Sequence, residues 1–379
     1  MRGTSGSPFF IEKISMKTEH WKIISLIVLG ISMIVILFLV AFYFFKPERK
    51  ETKVVTDSTT VSDDPASLLY VSEDGGITWR GISGGKVTPF HIEFDIASSR
   101  LLIGTQENSL WYANSAKLDT VAQFNASSAL PSDATIYDIA LQKEGAKVYL
   151  ATHRDDRGFV VEFSDSTARE LFFMPLTDTS VRSVVVDPFA KNSLLVSAGN
   201  VLYISENAGE TWQIAYRFKQ EIAHMVANSH ASGEYFVTTR RGEFFRSSDY
   251  GETWKDLTRG FSKLKGSRDN QQVYVDAGTG IVYLASKHGL LASRDTGDTW
   301  QDIPLIVPPD SLPISGFAAH PTNHNILYIS AASQLYKSLD GGITWKGILF
   351  SDKGSITSIA IDSLHPNIVL IGFAPKKRF

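Results

Sequence analysis

From residue 68 onward the chain alternates short apolar runs with small polar turns. Runs of this length, rich in Val, Ile, Leu, Tyr and Phe, predict β-strands. Almost no 3.6-residue apolar periodicity interrupts them. Five runs (LLYVS, VLYIS, EFFRS, GLLAS and QLYKS) lead into one repeated turn, and another strand-like run follows each copy. A strand, a polar turn and a second strand predict a hairpin at every copy. One segment breaks the pattern: Ile23 to Phe45 is uninterrupted apolar or small residues, long enough to cross a bilayer.

The turns share the form Ser-x-Asp-x-Gly-x-Thr-Trp. They read SEDGGITW (Ser72, Asp74, Gly76, Thr78, Trp79), SENAGETW (Ser205, Asn207, Gly209, Trp212), SSDYGETW (Ser247, Asp249, Gly251, Trp254), SRDTGDTW (Ser293, Asp295, Gly297, Trp300) and SLDGGITW (Ser338, Asp340, Gly342, Trp345). The Asp, or Asn207, is expected to accept turn amides two residues on. The Gly supplies the positive φ of a tight turn. The Trp is expected to bury itself against a neighbouring unit. Each box is therefore expected to be a folding device. A catalytic or metal site is disfavoured, because one Asp per unit would be spread around a rim.

The last four tryptophans are 42, 46 and 45 residues apart, and Trp79 precedes Trp212 by 133, or three such periods. That spacing predicts an all-β, seven-bladed β-propeller. Complete units begin near Val181, Ile222, Gln272 and Ile314, and two units without a box begin near His91 and Ile136. The first box has only one strand before it, Leu68 to Val71. The C-terminal runs ITSIAID (356–362) and NIVLIGF (367–373) have no box after them. Joined, the two ends are expected to make the seventh blade and close the ring, which removes an open sheet edge.

The resulting division is a tail (1–22), a transmembrane helix (23–45), a flexible polar linker (46–66), a propeller (67–374) and a basic tail (375–379). A linker of that composition reaches about 25 Å on average, which keeps the propeller near its membrane. Lys and Arg are balanced on the two sides of the span, so orientation rests on other grounds: the absence of cysteine fits an exported domain. The expected location is a single-pass membrane protein with an extracytoplasmic propeller.

Net charge is −3, and the part after residue 65 carries 29 Lys/Arg against 33 Asp/Glu, so a nucleic-acid role is disfavoured. Placement matters more than the sum. Loops joining strands two and three share a face with the links between blades; the boxes lie on the opposite face. The first face collects the partner-binding candidates Arg154, Arg157, Arg240, Arg241, Arg259, Lys263, Lys265 and Lys287, with Lys86, Arg217, Lys219 and Arg268 nearby and Lys376, Lys377 and Arg378 in the tail. A positive face of this kind suits an acidic protein segment or anionic lipid. The histidines lack ligand spacing, and no Gly-rich phosphate loop precedes a helix; neither metal nor cofactor is expected.

The boxes resemble the Asp-box, or bacterial neuraminidase, repeat over residues 67 to about 374. Seven units behind an anchor are most similar to the photosystem II stability/assembly factor family and its bacterial relatives; the ten-bladed, cysteine-rich sortilin-type receptors come second. The first resemblance implies a non-enzymatic scaffold or assembly factor that holds a membrane or envelope protein. Two enzyme families also carry the box. Sialidases use an arginine triad, a Tyr–Glu pair and an early Arg-Ile-Pro segment, whereas Arg80 is followed here by Gly-Ile-Ser. Xyloglucan hydrolases place one carboxylate on each of two propellers; the alternative is thus a cell-surface propeller that binds or cleaves a glycan, with Asp155, Asp156 and Asp310 as the loop acids that would serve cleavage.

Overall fold

The structure is a computed structural model. It describes residues 60–375, apart from 63–66, 85–86, 125–126, 128, 143–146, 165–166, 175–178, 191, 308–312 and 351–352. The tail 1–22 and the expected transmembrane segment 23–45 lie outside the described residues, as do Lys86, Asp310, Lys376, Lys377 and Arg378. No helix among the described residues is long and apolar enough to cross a membrane.

Seven antiparallel sheets make the ring. Blade 1 joins Ile356–Ile361, Val369–Phe373, Leu69–Ser72 and Thr78–Gly81, in that order from the inside outward. Blades 2 to 7 follow in sequence, with innermost strands Pro89–Asp95, Thr135–Gln142, Val181–Val186, Ile222–Ala227, Gln272–Val275 and Gly316–Ala319. The starts at Val181, Ile222 and Gln272 are those expected from sequence, and the other three differ by one or two residues, as at Gly316 instead of Ile314. Blades 2 and 3 lack a box, and their outer hairpins close directly, Asn114 opposite Lys117 and Ser164 opposite Thr167.

The second strand of each blade sits mid-sheet and is covered on both faces by neighbouring blades. It is accordingly buried along its length, as in Leu194–Ala198, Tyr235–Thr239 and Leu327–Ala331. Such strands read as continuous apolar runs, not alternating ones. The core is thus divided into seven wedges, one between each pair of blades.

Closure occurs as the sequence predicts. Leu69 pairs with Gly372, Tyr70 with Ile371, and Val71 with Leu370. Tyr70, Val369, Ile371 and Phe373 are fully buried in the wedge against blade 7. At roughly 1.5–3 kcal/mol per large apolar side chain, this pairing is a major part of the stability of the ring. Tyr328 Oη and Lys337 Nζ of blade 7 both donate to the Gly75 carbonyl, at 2.9 and 2.6 Å. On the other side, Thr357 Oγ1 donates to Pro89 O of blade 2 at 3.1 Å.

One finding corrects the reading of 46–66 as a flexible polar linker throughout. Thr60–Ser62 forms a fifth strand on blade 1, parallel to the outer strand, with Thr60 opposite Thr78 and Ser62 opposite Arg80. Val61 packs onto the wedge shared by blades 7 and 1. Such a short run, without alternation, carries no strand signal in sequence.

Deleting residues 356–379 is expected to leave the inner edge of Leu69–Ser72 without a partner strand and the protein aggregated. Soluble yield and size-exclusion chromatography test this. A soluble monomer with an unchanged far-UV spectrum would contradict the closure argument.

Candidate functional site

The boxes resolve into one hydrogen-bond pattern. In blade 1, Ser72 Oγ donates to Asp74 Oδ1 and accepts the Gly76 amide, both at 2.7 Å. Asp74 Oδ1 accepts the amides of Ile77 and Thr78 at 2.9 Å, and Thr78 Oγ1 donates to Oδ2 at 2.6 Å. Trp79 Nε1 donates back to Gly76 O. Blades 5, 6 and 7 repeat the network through Ser247 and Asp249, Ser293 and Asp295, and Ser338 and Asp340. The aspartate therefore takes the amide four residues on, and in blade 1 the one three residues on as well, rather than two, and the serine is a hub that the sequence reading left without a role. Gly342 combines φ +93° with a close approach: an added Cβ would stand 2.4 Å from Ile303 of blade 6.

The tryptophans turn toward the preceding blade, as expected. Trp212 and Trp345 donate to Leu171 O at 3.1 Å and Pro304 O at 2.8 Å. Trp79 packs edge-on against Phe350, and Trp300 against Phe244. Burial works to raise the Asp74 carboxyl, but the Thr78 hydroxyl and amide outweigh it and hold the group at about 2. Bonds from Thr299 lower Asp295 to about 2 as well. These carboxylates are occupied by the turns that contain them.

The axial channel holds a cluster that sequence reasoning missed. Innermost strands of all seven blades line a cavity of about 500 Å³. In it, His91 Nδ1 lies 3.3 Å from Asp138 Oδ1, and Nε2 lies 3.7 Å from Glu93. Asp138 Oδ2 also accepts the Val184 amide, which ties blade 3 to blade 4. Burial works to lower the His91 pKa, yet Glu93 and Asp138 together raise it. His224 is lowered, mainly by burial. Period-2 alternation marks such residues only as strand positions facing inward. Among the described residues no group of three or more His, Asp or Glu side chains is placed to hold a metal ion.

On the face opposite the boxes, the basic candidates fall into two sets. Arg154 and Arg157 of blade 3 stand apart and are paired: Arg154 with Asp133 at 2.8 Å, and Arg157 with Glu170 at 2.5 Å and over the Phe173 ring. Arg240, Arg241, Arg259, Lys263, Lys265 and Lys287 are all exposed on blades 5 and 6. The link from Leu257 to Gln271 lies between the strand-two-to-three loops of these two blades. Arg268 Nη2 donates to Arg241 O at 2.8 Å, the Lys287 amide to Asp269 O at 2.9 Å, and His288 Nδ1 lies 3.1 Å from Lys265 O. These bonds fix the backbone that carries the cations.

Beside this set lies a cavity of about 490 Å³ between blades 4 and 5, lined by Arg182, Arg217 and Arg240 together with Glu221, Tyr203 and Asn200. Arg182 sits 4.9 Å over the Tyr137 ring, and its Nε is buried without a hydrogen-bond partner. Burial, then the nearby Arg240, lower its pKa. Glu221 meets Arg240 at 2.7 Å, so the cavity keeps an excess of positive charge. Arg182 escaped the sequence reading because it stands within a strand. Asp155 and Asp156, two of the candidate glycosidase acids, sit together at one exposed loop tip, with the Asp155 side chain 82% exposed.

Residues 244–257 match the BNR-Asp box repeat. The chain is a seven-bladed propeller, and one of its boxes matches that repeat. A xyloglucanase from Hypocrea jecorina (strain QM6a) is 25% identical over 221 residues, 56% of this chain and 25% of that protein. The chain thus spans about a quarter of the length of the curated relative it matches. Among solved structures, the GH74 enzyme of Niastella koreensis aligns with TM-score 0.62 at 14% identity, over 80% of this chain and 52% of that one. YCF48 bound to D1 peptide aligns with TM-score 0.58 at 13% identity, over 84% of this chain and 100% of that one. These likenesses show the fold.

Two expectations follow. Asp295→Asn, which imitates Asn207 with its bond to the Thr211 amide at 2.9 Å, is expected to keep the fold at pH 7. Asp295→Ala should lose ~1–2 kcal/mol with its hydrogen bonds, read as a lower Tm. A depressed folded pKa contributes stability above the unfolded value, near 4, that disappears as pH falls through about 2. The Asn variant should therefore lose less stability than wild type across that window. In the channel, ring NMR should show His91 titrating above the ordinary histidine value and His224 below it. Asp138→Asn should lower the His91 midpoint.

Proposed function

We propose that this chain is a non-enzymatic, membrane-anchored propeller that holds an acidic segment of a protein partner on the cationic face of blades 4 to 6. One observation carries the reading: Arg182, Arg217 and Arg240 converge on one cavity, and Arg241, Arg259, Lys263, Lys265 and Lys287 stand on hydrogen-bonded backbone beside it. Charges fixed on a rigid disc give on-rate and register to an oppositely charged partner at little ordering cost. The YCF48 structure, which holds a D1 peptide, supports a peptide-like occupant for this fold. The apolar run 23–45 supports the anchor, with the propeller on the extracytoplasmic side.

A second reading rests on the same cavity. Tyr203 and Glu221 stand beside its three arginines, the residue types with which sialidases act on a carboxylate-bearing sugar. Glu221 is engaged by Arg240, which favours binding over chemistry.

Crosslinking in native membranes followed by mass spectrometry separates these readings. Charge reversal at Arg241, Arg259, Lys263 and Lys287 together is expected to abolish capture of an acidic protein while leaving Tm within a degree or two, because all four side chains are exposed. Unchanged capture would remove the proposal. Turnover of a fluorogenic sialoside or of xyloglucan would establish the second reading.

A further inference from the structure

The box face is not uniform around the ring. At the sixth position of the box, blades 4, 5 and 6 carry Glu210, Glu252 and Asp298, whereas blades 7 and 1 carry Ile343 and Ile77. These isoleucines are 61% and 59% exposed, in turns whose hydrogen bonds accept either residue type equally. Leu339 in the blade 7 box (66%), Leu364 in the first loop of blade 1 (63%) and Ile96 in the first loop of blade 2 (43%) extend the set. Five exposed aliphatic side chains thus share one face of three consecutive blades. Phe189 and Tyr250 are exposed on the same face in blades 4 and 5, beside the acidic boxes, and Tyr250 is bonded to Ser232. Single exposed apolar residues are ordinary, but five aliphatic side chains on the turns of three consecutive blades are not.

The path of the chain says what covers that arc. Thr60–Ser62 runs parallel to Thr78–Gly81, and Thr60 stands opposite Thr78, the seventh residue of the blade 1 box. The chain therefore enters the propeller from the box face, at blade 1, in the middle of the arc. Only residues 46–59 separate Thr60 from the end of the apolar run at Phe45. A random coil of fourteen residues spans about 20 Å on average, less than the width of a propeller.

We propose that the box face of blades 7, 1 and 2 rests on the bilayer to which the chain is tethered, with Ile77, Ile343, Leu339, Leu364 and Ile96 entering the headgroup boundary. The inference rests on the anchored reading above. Exposed aliphatic side chains of this kind bury in the interface between headgroups and acyl chains, while the acidic boxes of blades 4 to 6 are kept away from it. The cationic face then points away from the membrane, free for its partner.

The chain contains no cysteine, so single-Cys variants of the full-length protein can carry an environment-sensitive fluorophore. The protein is reconstituted in phosphatidylcholine vesicles containing a nitroxide-labelled phosphatidylcholine. Labels at Ile77, Ile343 and Leu364 are expected to shift to the blue and lose about half their emission to the nitroxide, whereas labels at Glu210 and Lys287 should not. Ile77→Glu with Ile343→Glu, which copies the acidic boxes, should abolish quenching at Leu364 without lowering Tm. Protein that stays with the vesicles after carbonate washing but shows no quenching at 77 and 343 overturns this inference alone. Protein released by the wash overturns the anchor, and this inference with it.

Discussion

The ring depends on one pairing of strands from opposite ends of the chain. Leu69–Ser72 and Val369–Phe373 are separated by nearly the whole propeller in sequence, and their ladder converts a row of sheets into a closed disc. Without it, blades 7 and 2 would each expose an apolar wedge surface, because every blade buries its second strand only between neighbours. A contact of such sequence separation forms late and at a high entropic cost. The buried Tyr70, Val369, Ile371 and Phe373, with the bonds that converge on Gly75, offset that cost.

Much of the fold was legible because its signals are local. A box is eight residues long, and its serine, aspartate, glycine and threonine satisfy one another within that length, so the motif reads correctly in isolation. The incomplete units at the two ends gave the closure by elimination. What was not legible depends on neighbours distant in sequence. Thr60–Ser62 is a strand only because Thr78–Gly81 offers an unpaired edge. Arg182 becomes part of a cavity only when blade 5 brings Arg240 beside it. The pairing of Arg154 and Arg157 with Asp133 and Glu170 likewise appears only once the blade is formed.

The two faces of the disc divide the labour by composition. Turns on one face are closed by side-chain networks, which leaves the sixth box residue free to vary between acidic and aliphatic and the second to range over Glu73, Ser248, Arg294 and Leu339. On the other face the link from Leu257 to Gln271 is held by bonds to backbone carbonyls and amides of its neighbours, and Arg259 and Lys263 stand exposed on it. Conformational rigidity comes from the seven wedges, and chemical character comes from the loops.

The parallel strand Thr60–Ser62 has a mechanical meaning as well. A pull along the axis of this strand would load its ladder to Thr78–Arg80 in shear, with all its bonds resisting at once instead of unzipping singly. Should that short ladder slip, the edge of the closure blade is uncovered while the ring itself stays shut. Loss of the short outer strand would thus leave the closing ladder of Leu69–Ser72 with Val369–Phe373 in place.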